Sequence, residues 1–151
     1  MASQSAVAIQ ATPLVRLSWA RTDDHAVVTR VAVAGALAAV ALALWGLPPV
    51  DLHGPLHRFG IMDFLCGGTR AAHFTVTGDW ALAWYYNPLG PLAVIGAGLM
   101  VLRTIIGLTA RRWFNVTVAW TSRHLWTAFA IWAVAVAALT IRQQLMVDVL
   151  M

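Results

Sequence analysis

The chain contains no lysine and no glutamate, and it has a single cysteine, Cys66. One cysteine excludes an internal disulfide, and it excludes a metal site built from cysteines alone within one chain. All ten basic residues are arginine and all six acidic residues are aspartate. Together with the load of alanine and valine, that bias suggests a GC-rich bacterial genome. Charge is scarce as a whole: 11% of residues are charged and 60% are hydrophobic, against roughly 25% charged in a soluble globular chain. Water is the wrong solvent for most of this surface. The net charge of +4 does not point to nucleic acid, because the arginines are scattered near the ends of apolar runs and form no basic patch. Catalytic signatures are missing as well: there is no Gly-x-Ser-x-Gly, no His-Glu-x-x-His and no phosphate-binding loop.

What is present is long apolar sequence. Val31–Leu47 is uninterrupted, and started from Ala26 it reaches the roughly 20 residues that a bilayer requires. Leu89–Leu108 and Leu125–Ile141 are the other two runs. The expectation is an all-α integral membrane protein of one domain, residues 1–151, with spans at about 26–47, 89–108 and 125–142. The first run begins about thirty residues in, after Asp23 and Asp24, and no small-residue cleavage site follows it, so a cleaved signal peptide is not expected. Within the first span Gly35, Ala39 and Ala43 recur every four residues, a stripe that lets another helix approach closely. Gly96 and Gly98 offer the same in the second. Trp45 reads as an interface anchor, and Pro48-Pro49 stops the first helix.

The connections carry their own signals. Residues 1–25 form a polar to mixed segment in which Leu14, Leu17 and Trp19 can dip into a membrane interface, and Thr22 or Asp23 can cap the first span. Short interfacial helices are expected in the 48–88 and 109–124 connections. In the latter, Trp113, Val116 and Trp120 fall at i, i+3 and i+7, one face of a helix. Arg103 lies five residues from its span's end, about 7.5 Å at helical rise, and is expected to snorkel to the headgroups. Arg16, Arg21, Arg30, Arg103, Arg111, Arg112 and Arg123 fall on one side of the predicted spans, and Arg58, Arg70 and Arg142 on the other. That asymmetry predicts a cytoplasmic N-terminus and an extracytoplasmic 48–88 connection in a bacterial inner membrane.

The 48–88 connection contains Cys66-Gly67-Gly68-Thr69-Arg70-Ala71. Gly67-Gly68 permits positive φ or a close backbone approach, and Thr69 can cap a helix that Gly78 ends. Asp79 can cap a second short helix, Trp80–Tyr86, whose Trp80, Trp84, Tyr85 and Tyr86 suit the headgroup level. Arg70 and Asp79 can pair across the two helices, and Asn87 can satisfy backbone groups before Pro88. The bland reading of this stretch is a polar clasp folding the connection onto the helix ends, since backbone groups near lipid must find partners.

These residues also carry a resemblance. Met62-Asp63-Phe64-Leu65-Cys66-Gly67-Gly68-Thr69-Arg70-Ala71, then Gly78-Asp79, Ala83 and Asn87-Pro88-Leu89, resembles domain-of-unknown-function family 2752, a family of small bacterial membrane proteins. Its pattern is Cys-Pro-x-Cys-Gly-x-Thr-Arg-Ala, then Gly-Asp, an Ala and Asn-Pro opening a membrane helix. The likeness covers roughly residues 45–110. It marks Cys66, Gly67, Thr69, Arg70, Gly78, Asp79, Asn87 and Pro88 as the motif positions and implies architecture more than activity. Asp63 and Phe64 stand where the family has its first cysteine and its proline. Asp63 and Cys66 cannot form a disulfide, so this chain lacks the dithiol that the family's pattern implies.

Three functions follow as expectations. The first is a non-catalytic accessory or assembly subunit of a larger membrane complex, with membrane lipid and other membrane subunits as partners. The second is a metal-binding or thiol-active protein using Asp63, Cys66, His57 and His73, with His53 nearby, because Asp, Cys and His are legitimate zinc or copper ligands. The third is an oligomeric transporter or channel component, for which three spans supply few polar lining groups. Neither a catalytic residue nor a cofactor beyond that metal ion is indicated.

Overall fold

The chain is seen in a computed structural model that describes residues 15–47 and 59–150. In chain order these form β1 (Val15–Ala20), α1 (Ala26–Trp45), α2 (Gly68–Thr77), α3 (Trp80–Tyr86), α4 (Leu89–Ala110), β2 (Trp113–Val118), α5 (Ser122–Leu145) and α6 (Val147–Leu150). Three helices, α1, α4 and α5, are long and apolar enough to cross a membrane. The protein is therefore multi-pass, and its outer helix surfaces meet lipid. Large apolar side chains lie exposed along all three, among them Val31, Leu37, Leu99, Leu102, Phe129 and Val134, which is the arrangement lipid rewards and water penalises.

The spans fall where the apolar runs predict, with shifts at their ends. α1 stops at Trp45, where Gly46 takes φ 76° and turns the chain. α4 runs on to Ala110 and ends with Arg111 in the left-handed region at φ 50°. α1 and α4 pack along one another, and α2 packs on both. Ala39, at the centre of the small-residue stripe, is buried, and Gly35 and Ala39 line an open apolar groove between α1 and α4 that α2 roofs. Gly96 and Gly98 have open space around them instead. The tightest approach is at Gly90, where a Cβ would stand 2.4 Å from the Ala71 Cβ. Glycine there lets α2 rest directly on the first turn of α4.

One connection and one span differ from expectation. The 109–124 segment holds no interfacial helix. Its Trp113–Val118 stretch is a strand, antiparallel to Val15–Ala20 with Leu17 opposite Val116 and Ser18 opposite Asn115. The residues are rich in β-branched and aromatic types, which pack well on a pleated surface, and the partner strand lies far away in sequence. Pairing with it outweighs the local helical spacing of Trp113, Val116 and Trp120. The second difference is α5. It does not pack along α1 or α4, and it joins the rest of the described protein near its C-terminal end through α6 and side-chain hydrogen bonds.

Candidate functional site

The Cys66 motif lies in a series of tight turns leading into α2. Asp63 shapes the first: its Oδ1 accepts from the Leu65 N–H at 2.8 Å, and its carbonyl accepts from Cys66 N–H. Gly67 follows with φ 75°. A Cβ there would come within 2.9 Å of Leu150 Cδ2 and 3.2 Å of the Tyr86 carbonyl, so both the conformation and the space call for glycine. Thr69 does not cap the helix. α2 already begins at Gly68 with Gly67 before it, and Thr69 sits exposed in the first turn. Gly78 ends α2 at φ 91°, donating to the Phe74 and Thr75 carbonyl region, and Asp79 then caps α3 through the Leu82 N–H at 3.1 Å. Arg70 stacks over the Tyr86 ring at 5.6 Å, and Tyr86 in turn stacks on Phe74. Asp79 and Arg70 are thus engaged separately, one by a helix terminus and one by an aromatic face.

Asn87 binds these pieces together. It is fully buried. Its Nδ2 donates to the carbonyls of Phe64 and Cys66, each at 2.9 Å, and its Oδ1 accepts from Leu89 N–H at 2.9 Å. One amide therefore closes the motif turn and caps the first turn of α4. Pro88 follows it in the helical region and tolerates that place because the missing N–H has no partner to lose there.

The chain's C-terminal part completes this end, a role its sequence did not signal. Gln143 is buried and its Nε2 donates to the Tyr86 carbonyl at 3.0 Å. Arg142 donates to the Tyr85 carbonyl at 2.7 Å. Gln144 accepts from Met62 N–H and donates to the Gly60 carbonyl. The last carbonyls of α3, orphaned by helix geometry, are satisfied by the end of a membrane-spanning helix. Met62, Cys66 and Leu150 form the small apolar core beneath, with Tyr86, Met146 and Val147 around it.

That burial defines Cys66. Its thiol is free, buried, and pushed above its usual pKa by loss of water. A buried neutral thiol is a poor nucleophile and a poor ligand. Of the expected metal set, two described members are engaged elsewhere: His73 Nδ1 bonds the Leu42 carbonyl on α1 at 2.9 Å, and Asp63 Oδ1 accepts within its own turn. Among the described residues, no three metal-ligating side chains come together. His53 and His57 lie outside the described residues.

Residues 56–101 match the family described as protein of unknown function (DUF2752). The Cys66 end is thus similar to that family over less than a third of the chain. The match runs from before the motif turn, through α2 and α3, and into α4. No curated protein and no solved structure gave a match to the chain. The matched stretch contains every motif position named above and stops before Arg103.

Beyond the segment lies a second polar cluster at the opposite end of the α1–α4 pair. Arg103 does not snorkel to headgroups; it turns inward. Its Nη2 donates to Asp23 Oδ1 and to Asn115 Oδ1, each at 2.8 Å, its Nη1 to Thr29 Oγ1 at 3.0 Å, and its Nε to the Phe114 carbonyl at 2.6 Å. Its guanidinium lies 5.4 Å from the Trp113 ring centre. Arg103 and Asp23 side chains keep only 12% and 10% of their exposure, so this is a desolvated pair with its remaining donors filled. Thr29 donates onward to Asp23 Oδ2, Asp23 Oδ1 accepts from His25 N–H, and fully buried Asn115 donates to Thr22 and Asp24. The hydrogen bond from Arg103 leads the effects that hold the Asp23 carboxyl down at about 2.

Proposed function

We propose that the protein is a non-catalytic subunit of a larger bacterial membrane assembly, one that packs on its partners and stabilises them. The observation that carries this reading is α5. A membrane helix gains stability by close packing against other helices, yet α5 does not pack along α1 or α4 and is fastened near its C-terminal end. Its length beside the α1–α4 pair is left open to a helix of another chain. Trp126, Phe129 and Trp132 form an exposed aromatic ladder along it. The buried polar groups at both ends of the fold, Asn87, Gln143, Arg103 and Asn115, have internal partners that build structure. In the bacterial inner membrane, the arginine asymmetry supports a cytoplasmic Arg103 end and an extracytoplasmic Cys66 end.

The test is isolation of the chain from native membranes in a mild detergent, followed by native mass spectrometry. A defined complex with other membrane proteins is the expected result, and weakening of that complex by Phe129→Ala places α5 at the contact. A chain that runs alone as a monomer defeats the reading.

A further inference from the structure

We infer that the β1–β2 sheet is a membrane-surface anchor whose outward face sits in the headgroup boundary of a bilayer containing anionic lipid. Directly opposed residues of an antiparallel pair place their side chains on the same face. The register therefore collects Val15 with Val118, Leu17 with Val116 and Trp19 with Phe114 on one face. All six are apolar. On the other face stand Arg16 with Thr117, Ser18 with Asn115 and Ala20 with Trp113. That second face packs inward through Asn115, fully buried at Arg103, and Trp113, whose ring lies against Gly107, while Arg16 and Thr117 at its far end are exposed. The apolar face is turned away, with Val15, Leu17 and Trp19 at 48, 61 and 57% exposure. A small soluble sheet normally alternates the other way, apolar toward the protein and polar toward solvent.

The depth of the sheet says what solvent it meets. After Ala110 the chain turns at Arg111 and runs back beside α4, so that Trp113 lies level with Gly107 and Phe114 level with Arg103. Arg103 is about 10 Å along the helix axis from Ala110 at helical rise. The sheet thus stands beside the last turns of a membrane-spanning helix, and its free face looks sideways. Sheet edges are unfavourable in hydrocarbon because their backbone groups lack partners. Here the Phe114 and Val116 carbonyls, two residues apart and so directed to one edge, accept from Arg103 Nε and His25 Nε2. That leaves a two-stranded element suited to the boundary, with apolar side chains directed into lipid.

Charge fixes the lipid class. Ala20 pairs with Trp113 at one end of the ladder, which places Arg21 beside Arg112 and Arg111 just beyond it. All three are exposed and have no carboxylate partner among the described residues. Guanidinium groups beside an apolar face match lipid phosphates above acyl chains, and anionic headgroups strengthen that match.

The test uses the full chain in nanodiscs of phosphatidylcholine with phosphatidylglycerol, spin-labelled at Leu17→Cys or, separately, at Val116→Cys on the partner strand. Native Cys66 is buried and serves as the unlabelled background; Thr77→Cys, on an exposed helix end, is the water-facing control. The anchor predicts that both sheet labels collide with oxygen and are shielded from a water-soluble nickel chelate. Labels as open to the chelate as Thr77→Cys, or shielded from both reagents as under a protein partner, overturn it. The lipid class is read from spin-labelled lipids: the motionally restricted fraction should be larger for phosphatidylglycerol than for phosphatidylcholine. The triple variant Arg21→Gln, Arg111→Gln, Arg112→Gln should remove that difference. Equal fractions in the unaltered chain overturn the anionic preference.

Discussion

The two ends of the α1–α4 pair are closed by different chemistry. At the Cys66 end the central group is a neutral amide, Asn87, which meets backbone atoms only, those of Phe64, Cys66 and Leu89. At the Arg103 end the central group is a charge, meeting a carboxylate, a hydroxyl, an amide and a carbonyl from β2 and from the start of α1. Asn87 lies inside the stretch that matches DUF2752, and Arg103 lies just outside it. The difference teaches what each end tolerates. A neutral clasp can lose a hydrogen bond and leave only a dipole unsatisfied, whereas a desolvated ion pair that loses one member leaves a charge stranded.

The sharpest way to break that contrast is Arg103→Ala. It strands Asp23 and empties Asn115 Oδ1 and the Phe114 carbonyl, and the expected cost is about 3–5 kcal/mol of unfolding free energy in detergent micelles. A loss below about 1 kcal/mol, the usual worth of an exposed pair, would show that the Arg103 end is not held by buried charge. Asn87→Ala should come next, at about 2–3 kcal/mol, because three backbone groups lose their partner at once. Hydrogen exchange should then rise in residues 62–68 while β1 and β2 stay protected. Exchange rising equally at both ends would mean that the two closures are one cooperative unit.

Acid provides a third separation. Asp23 titrates at about 2 instead of 3.8 in the folded protein. A depressed carboxylate contributes stability that is fully present above pH 4 and is lost as pH falls toward 2, here about 2 kcal/mol. Asp23→Asn should flatten that part of the stability profile, and Asn87→Ala should leave its slope unchanged. The smallest expected effect is at the helix contact. Gly90→Ala drives a methyl into Ala71 and should cost about 1–2 kcal/mol, whereas Gly96→Ala, with open space around it, should be close to neutral. Thermal unfolding of the two variants side by side checks this.

Legibility follows the same divide. The three spans were readable because hydrocarbon thickness sets helix length. At the Cys66 end the signals are local: Gly78 ends one helix, Asp79 caps the next, and Asn87 precedes a proline at the start of a span. Thr69 falls two residues past the cap position, since the positive φ at Gly67 starts α2 before it. At the Arg103 end the partners are far apart in sequence, and no local pattern joins Asp23 to Arg103 or Ser18 to Asn115. The alternation of Val15, Leu17 and Trp19 is the one signal that could have revealed the strand. Gln143 and Leu150 gave none, because their burial depends on meeting a turn formed much earlier in the chain.

The hydrogen bonds from Arg142 and Gln143 to the end of α3 also impose an order on biosynthesis. Everything the Arg103 cluster requires has been synthesised once β2 is complete, before the third span is made. The orphan carbonyls of Tyr85 and Tyr86, by contrast, wait for a helix still being synthesised, on the order of seconds at ~5–20 residues per second. During that interval the nascent protein has one end latched and the other unsatisfied, and arrival of Gln143 closes it.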